Sequence, residues 1–88
     1  MSIWVCGEVL IDLLPGDSER IAIVGGGPAN TAKALSRLGH EVQFIDGIST
    51  DAYGKSAREE LIRDGVGLDL ALTSELPTCT ATVSLSHD

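Results

Sequence analysis

Residues 25–28 read Gly-Gly-Gly-Pro, with the run Ile21-Ala22-Ile23-Val24 before them and Ala29-Asn30-Thr31-Ala32 after them. This junction constrains the fold more than any other stretch of the chain. Residues without side chains let the main chain turn sharply and approach a neighbour closely. A proline in the first helical turn forfeits no hydrogen bond and already carries a helical φ. A strand is therefore expected to end here and a helix to start, with Pro28 as its first residue. Ala29, Ala32, Leu35 and Leu38 recur every three residues on one face, small at the start so that the backbone can lie close to a sheet. Gly39 ends that helix as a left-handed cap.

The rest of the chain follows the same alternation. Ile3-Trp4-Val5-Cys6 and Val9-Leu10-Ile11 are short apolar runs separated by Gly7, the pattern of strands buried on both faces. Pro15-Gly16-Asp17-Ser18 is a turn cluster. Val42–Ile45 is a further strand. Asp51 is placed to cap a second helix from about Ala52 to Asp64, with Ala57 and Leu61 on its inner face, a Glu59–Arg63 pair on its wet face and Gly65 at its end. Leu68–Leu72 and Thr80–Leu85 read as strands. The order predicts an α/β domain with a mainly parallel sheet. The chain stops after a strand without a closing helix, which leaves a long apolar edge and an unfinished sheet.

Composition removes several function classes. Trp4, Phe44 and Tyr53 are all the aromatic residues in 88, so the core is aliphatic and no base-stacking platform for single-stranded nucleic acid exists. A net charge of −7 opposes contact with a phosphate backbone. No apolar run reaches the length of a membrane span, and the start of the chain lacks a basic leader, so a cytoplasmic location without membrane or nucleic-acid partners is expected. Cys6 and Cys79 have no motif spacing and are expected to be buried, reduced thiols. His40 reads as a solvated turn residue, and neither it nor His87 has a second ligand spaced for a metal. Glu59 and Glu60 read as a solvated helix face.

The glycine turn admits two functional readings beside simple turn geometry. Gly25-x-Gly27 between a strand and a helix, with Asp46 ending the next strand, fits a dinucleotide fingerprint in which Asp46 holds a ribose. Asn30 opposes this reading, because it stands where that fingerprint requires a third small residue. The alternative is a sugar site. The backbone amides of Gly25, Gly26 and Gly27 at a helix N-terminus and the amide of Asn30 suit hydroxyl groups. Asp12, in Leu10-Ile11-Asp12-Leu13-Leu14, would lie beyond a strand's C-terminal end and accept two charge-assisted bonds from vicinal hydroxyls. It could also serve a local turn. Glu8 could orient such a site or pair with a basic residue.

The ordered blocks Gly7-Glu8-Val9-Leu10-Ile11-Asp12, Gly25–Ala32, Leu35–Gly39, Ser49–Gly54, Leu61, Gly65-Val66 and Pro77–Ala81 resemble the N-terminal part of a ribokinase-like (PfkB-type) carbohydrate kinase, in the style of bacterial fructokinases. The dinucleotide reading explains neither Asp12 nor Asp51–Gly54 nor Pro77–Ala81. The resemblance implies a three-layer α/β/α fold with a parallel central sheet and a small β-lid, of which residues 1–88 are the N-terminal fragment. Lid strands are expected near 19–25 and 78–86, with a homodimer through them as a possible assembly. It implies ATP-dependent phosphorylation of a sugar hydroxyl, with residues matching Asp12, Gly26, Gly27 and Asn30 lining the sugar pocket. Some relatives carry Lys where this chain has Gly27, so the sugar is left open. The Gly-Ala-Gly-Asp segment that supplies the catalytic base, and the neighbouring site for ATP and Mg2+, have no counterpart in these 88 residues, so no bound cofactor and no activity of the segment alone are expected.

Overall fold

The structure is a computed structural model and describes residues 2–84. In chain order the elements are β1 (Ser2–Cys6), β2 (Leu10–Leu14), β3 (Ile21–Gly25), α1 (Gly27–Arg37), β4 (Glu41–Ile45), β5 (Gly47–Ser49), α2 (Ala52–Arg63), β6 (Leu72–Ser74) and β7 (Thr80–Thr82). β1 pairs parallel with β4, and β5 pairs parallel with β6. The bridge between Gln43 and Gly67 extends the β4 ladder, so these strands form the parallel body. A second sheet has the order β3-β2-β7, antiparallel between β2 and β3 and parallel between β2 and β7.

One aliphatic core joins the elements of the body. Phe44, Ile48 and Leu61 are fully buried and pack with Val42, Val66, Ala29, Ala32 and Ala57. The alanines let both helices lie close to the sheet. Lys33 Nζ of α1 meets Glu60 of α2 at 2.6 Å, and Arg37 meets Asp64 at 2.7 Å. The Ser36 hydroxyl also donates to the Asp64 carbonyl at 2.8 Å. The two helices are thus neighbours on the face that carries Val42 and Phe44. The hydrogen bond from Arg37 is the main reason that the Asp64 carboxyl titrates below its ordinary range. α1 begins with Pro28 in its first turn and ends before Gly39 at φ 96°, and Asp51 caps α2, as the sequence predicts.

Several expectations are corrected. Leu38 falls one residue beyond α1 and is 76% exposed, because the helix ends at Arg37 before its stripe completes a turn. Glu59 and Arg63 form no ion pair; the helix–helix partners are Glu60 and Asp64 instead, which face α1. The strand expected over Leu68–Leu72 is Leu72–Ser74, since residues 68–71 are spent on a turn closed by the Ala71 amide on the Leu68 carbonyl. Cys6 and Cys79 are exposed thiols. Cys6 lies on the helix-free face of β1, where Trp4 is 63% exposed, and Cys79 lies in the crossing that leads into β7. Glu8 is exposed and makes no ion pair among the described residues. His87 and the end of the last predicted strand lie outside the described residues.

Candidate functional site

Asp12 is the middle residue of β2, with Ile23 of β3 on one side and Ala81 of β7 on the other. The sequence reading put it past the end of a strand in the parallel body. The strand instead runs on to Leu14, because β3 and β7 supply ladder partners on both flanks. Alternation along β2 buries Ile11 and turns Asp12 to the opposite face. Gly25 pairs with Leu10 one rung away on that face. A Cβ on Gly25 would collide with Asp12 Oδ2, so the carboxylate rests directly over bare backbone. Among the described residues nothing donates a hydrogen bond to that carboxylate.

The next two glycines differ in what they require. Gly26 has φ 103°, and a Cβ there would come within 2.9 Å of the Glu8 carbonyl oxygen. It is held to glycine by conformation and by close approach. Gly27 has nothing within 4 Å of the place a Cβ would take. Gly26 is the N-cap of α1, with no side chain capping the helix and no acidic residue in its first turn. Free amides and the positive end of the helix dipole therefore open beside Asp12. Asn30, one turn in, is exposed, and its own amide donates to the Gly26 carbonyl at 2.9 Å. Asp12, Gly25, Gly26, Gly27 and Asn30 are thus gathered by one strand pair and one helical turn. They present a carboxylate, a helix N-terminus and a side-chain amide, a set that matches vicinal hydroxyl groups.

Two other carboxylates are engaged internally. Asp46 Oδ2 accepts the Val9 amide at 3.1 Å, which ties the entry of β2 to the end of β4. Asp51 accepts the Gly54 amide at 2.7 Å, and also the Thr78 amide at 2.8 Å and the Thr78 hydroxyl at 2.5 Å. The Thr78 hydroxyl, then the Thr78 and Gly54 amides, hold the Asp51 carboxyl at about 2, below its ordinary 3.8. The sequence reading saw the cap and missed Thr78, 27 residues away. The only hint is that both residues fall in the family-like blocks. A cleft of about 290 Å³ is lined in part by Glu8, Asp46, Ser74, Thr78 and Cys79. Neither Asp12 nor Asn30 lines it. Among the described residues no three His, Cys, Asp or Glu converge on a metal position.

A three-stranded sheet hinged on an α/β body, with a carboxylate over a glycine turn at an open helix start, defines a ribokinase-like protein. The sequence pattern of the pfkB family carbohydrate kinases matches residues 6–88. The chain belongs to that family. It is 36% identical over 88 residues to the fructokinase of Klebsiella pneumoniae, covering 97% of this chain and 29% of that protein. Among solved structures it superposes on the fructokinase with bound ATP from Xylella fastidiosa with a TM-score of 0.86 and 31% identity, over 94% of this chain and 27% of that one. The fructokinase from Vibrio cholerae O395 in its fructose-, ADP- and calcium-bound form gives 0.85 and 27% identity, over 98% and 29% of the two chains. The chain thus spans less than a third of the length of these relatives.

Proposed function

We propose that these residues form the sugar-binding part of an ATP-dependent sugar kinase of fructokinase type. The observation that carries the reading is the Asp12 carboxylate, free of protein donors, lying over Gly25 beside the uncapped start of α1. Asp12 would accept two hydroxyls of the sugar, the amides of the Gly25–Gly27 turn would donate to its oxygens, and Asn30 would do both. The open space over Gly27 leaves room at the rim of the pocket for part of the sugar.

The β3-β2-β7 sheet acts as a lid over the sugar, excluding water so that a sugar hydroxyl rather than solvent accepts the phosphoryl group. Its face carries Ile21 and Ile23, which are 53% and 45% exposed, and this apolar patch suits a homodimer formed lid to lid. Residues 2–84 offer no fitting cluster for Mg2+, and the sequence has no Gly-x-x-x-x-Gly-Lys-[Ser/Thr] loop for phosphates. By the family resemblance, ATP, Mg2+ and the catalytic base belong with a Gly-Ala-Gly-Asp segment that residues 1–88 do not contain, and residues 1–88 alone are expected to show no transfer. The net charge of −7 disfavours nucleic-acid partners, and no helix among the described residues is long and apolar enough to cross a membrane. A cytoplasmic enzyme fits these properties.

The test is a nucleotide-coupled assay of the protein at its full natural length, with fructose and ribose as acceptors. Turnover with at least one of them is expected, and Asp12→Ala should raise its KM by about tenfold or more, the worth of a charge-assisted hydrogen bond. Unchanged sugar affinity in Asp12→Ala would remove the role given to that carboxylate.

A further inference from the structure

The main chain crosses between the lid sheet and the body at residues 7–9, at Gly25-Gly26 and at residues 76–79. The first crossing is held by the Gly7 amide on the Ile45 carbonyl at 3.2 Å and by Val9 on Asp46. The second is a close contact of bare backbone, Gly26 against Glu8. The third runs through exposed Leu76 and Pro77 and is anchored to α2 at Thr78, whose amide and hydroxyl both donate to Asp51. One residue later the Cys79 carbonyl accepts the Ile11 amide at 3.0 Å, and β7 continues with Ala81 opposite Asp12.

We propose that Asp51 is a positioning residue for the sugar site, acting as the latch that fixes lid strand β7 to the body and thereby sets where Asp12 stands relative to Asn30. This rests on reading the β3-β2-β7 sheet as the lid of a sugar kinase. β7 is the flank of β2 that no tight hairpin holds; the other flank, β3, follows β2 through a short turn. With Thr78 unlatched, β7 leaves the edge of β2, and the strand that carries Asp12 keeps a ladder partner on one side only. A carboxylate suits this position because three donors converge on it from two directions, and an ion accepts them all. Asn in its place has one acceptor oxygen and turns an N–H2 group either toward the Thr78 amide or toward the Gly54 amide and the Thr78 hydroxyl. The low titration range of Asp51 agrees with a site built for the ionised form.

The experiment uses the full-length protein with Asp51→Asn, Thr78→Val and Thr78→Ser. Asp51→Asn and Thr78→Val should raise KM for the sugar by about tenfold, while Thr78→Ser, which keeps both donors, stays close to wild type. KM for ATP should stay within about twofold throughout, since loss of folded protein alone lowers the rate without a selective change in one KM. In hydrogen exchange, the Val83 amide, which bonds the Leu13 carbonyl, and the Ala81 amide of β7, which faces β2 in the parallel register, should lose protection in Asp51→Asn, while those of β4 keep theirs. An unchanged sugar KM in Asp51→Asn, or loss of protection spread equally over β4 and β7, overturns the latch and leaves Asp51 a helix cap. If the wild-type protein phosphorylates no sugar, the kinase reading falls. The exchange comparison then decides the latch by itself: selective loss in β7 supports it and retained protection refutes it.

Discussion

Gly25→Ala separates the stability of the β3-β2-β7 sheet from the placement of Asp12. The new methyl would collide with Asp12 Oδ2 and come within 3.2 Å of the Asp12 Cγ and 3.7 Å of the Leu10 Cδ1. Two effects oppose each other in stability. Removing a glycine from a strand gains about 0.4–1 kcal/mol through the unfolded chain, and Gly25 is absent from the positive-φ glycines, so its backbone suits alanine. Overpacking costs about 1–3 kcal/mol when the neighbour cannot move. Here the struck atom is the tip of a side chain on an open face, so the carboxylate swings aside and the net loss should be about 1 kcal/mol or less. Binding has no such escape. A carboxylate rotated off its position loses charge-assisted bonds to the sugar, each worth about 1.5–3 kcal/mol, or about ten- to a hundredfold in KM. The measurement is sugar KM by coupled assay alongside a urea unfolding curve for wild type and Gly25→Ala. Sugar KM unchanged within about twofold would show that Asp12 is not held over Gly25 for binding.

Gly27→Ala should change stability by less than about 1 kcal/mol, because the gain from replacing a helical glycine in open space is opposed by the restriction Pro28 places on the residue before it; a larger loss in urea would contradict the open geometry. Phe44→Ala, at a fully buried position in the centre of the core, should cost about 3–5 kcal/mol in the same titration. The hydrogen bonds at Asp51 stabilise the fold fully above its unfolded value of 3.8 and fade as pH falls toward its folded value of about 2. The stability difference between wild type and Asp51→Ala should therefore be constant from neutral pH down to near 3.8 and shrink below it. A difference that stays constant down to about 2 would mean that the ionised carboxylate contributes nothing.

Much of this protein is local and therefore legible from the chain alone. The start of α1 follows from a proline behind three glycines, its end from Gly39, and the cap of α2 from Asp51, because each depends on φ preferences and on partners within a few residues. The aliphatic face of small residues and the strand–helix alternation likewise specify an α/β body. The grouping of Asp12 with Gly25–Gly27 and Asn30 came from the order of short blocks, whereas the placement of Asp12 was misread. An apolar run such as Leu10–Leu14 has the same pattern in a parallel body and in a side sheet, and only its partners, β3 and β7, decide between them. Burial of the cysteines failed for a similar reason, since an apolar strand says nothing about which of its faces receives a helix. The tethers of Asp46 to Val9 and of Asp51 to Thr78 join residues 37 and 27 positions apart. Sequence alone determined where the chain turns and which residues are apolar; tertiary structure decided that Asp46 and Asp51 are engaged by the fold while Asp12 stands without a donor over the glycine turn, because hydrogen-bond satisfaction is settled by neighbours in space.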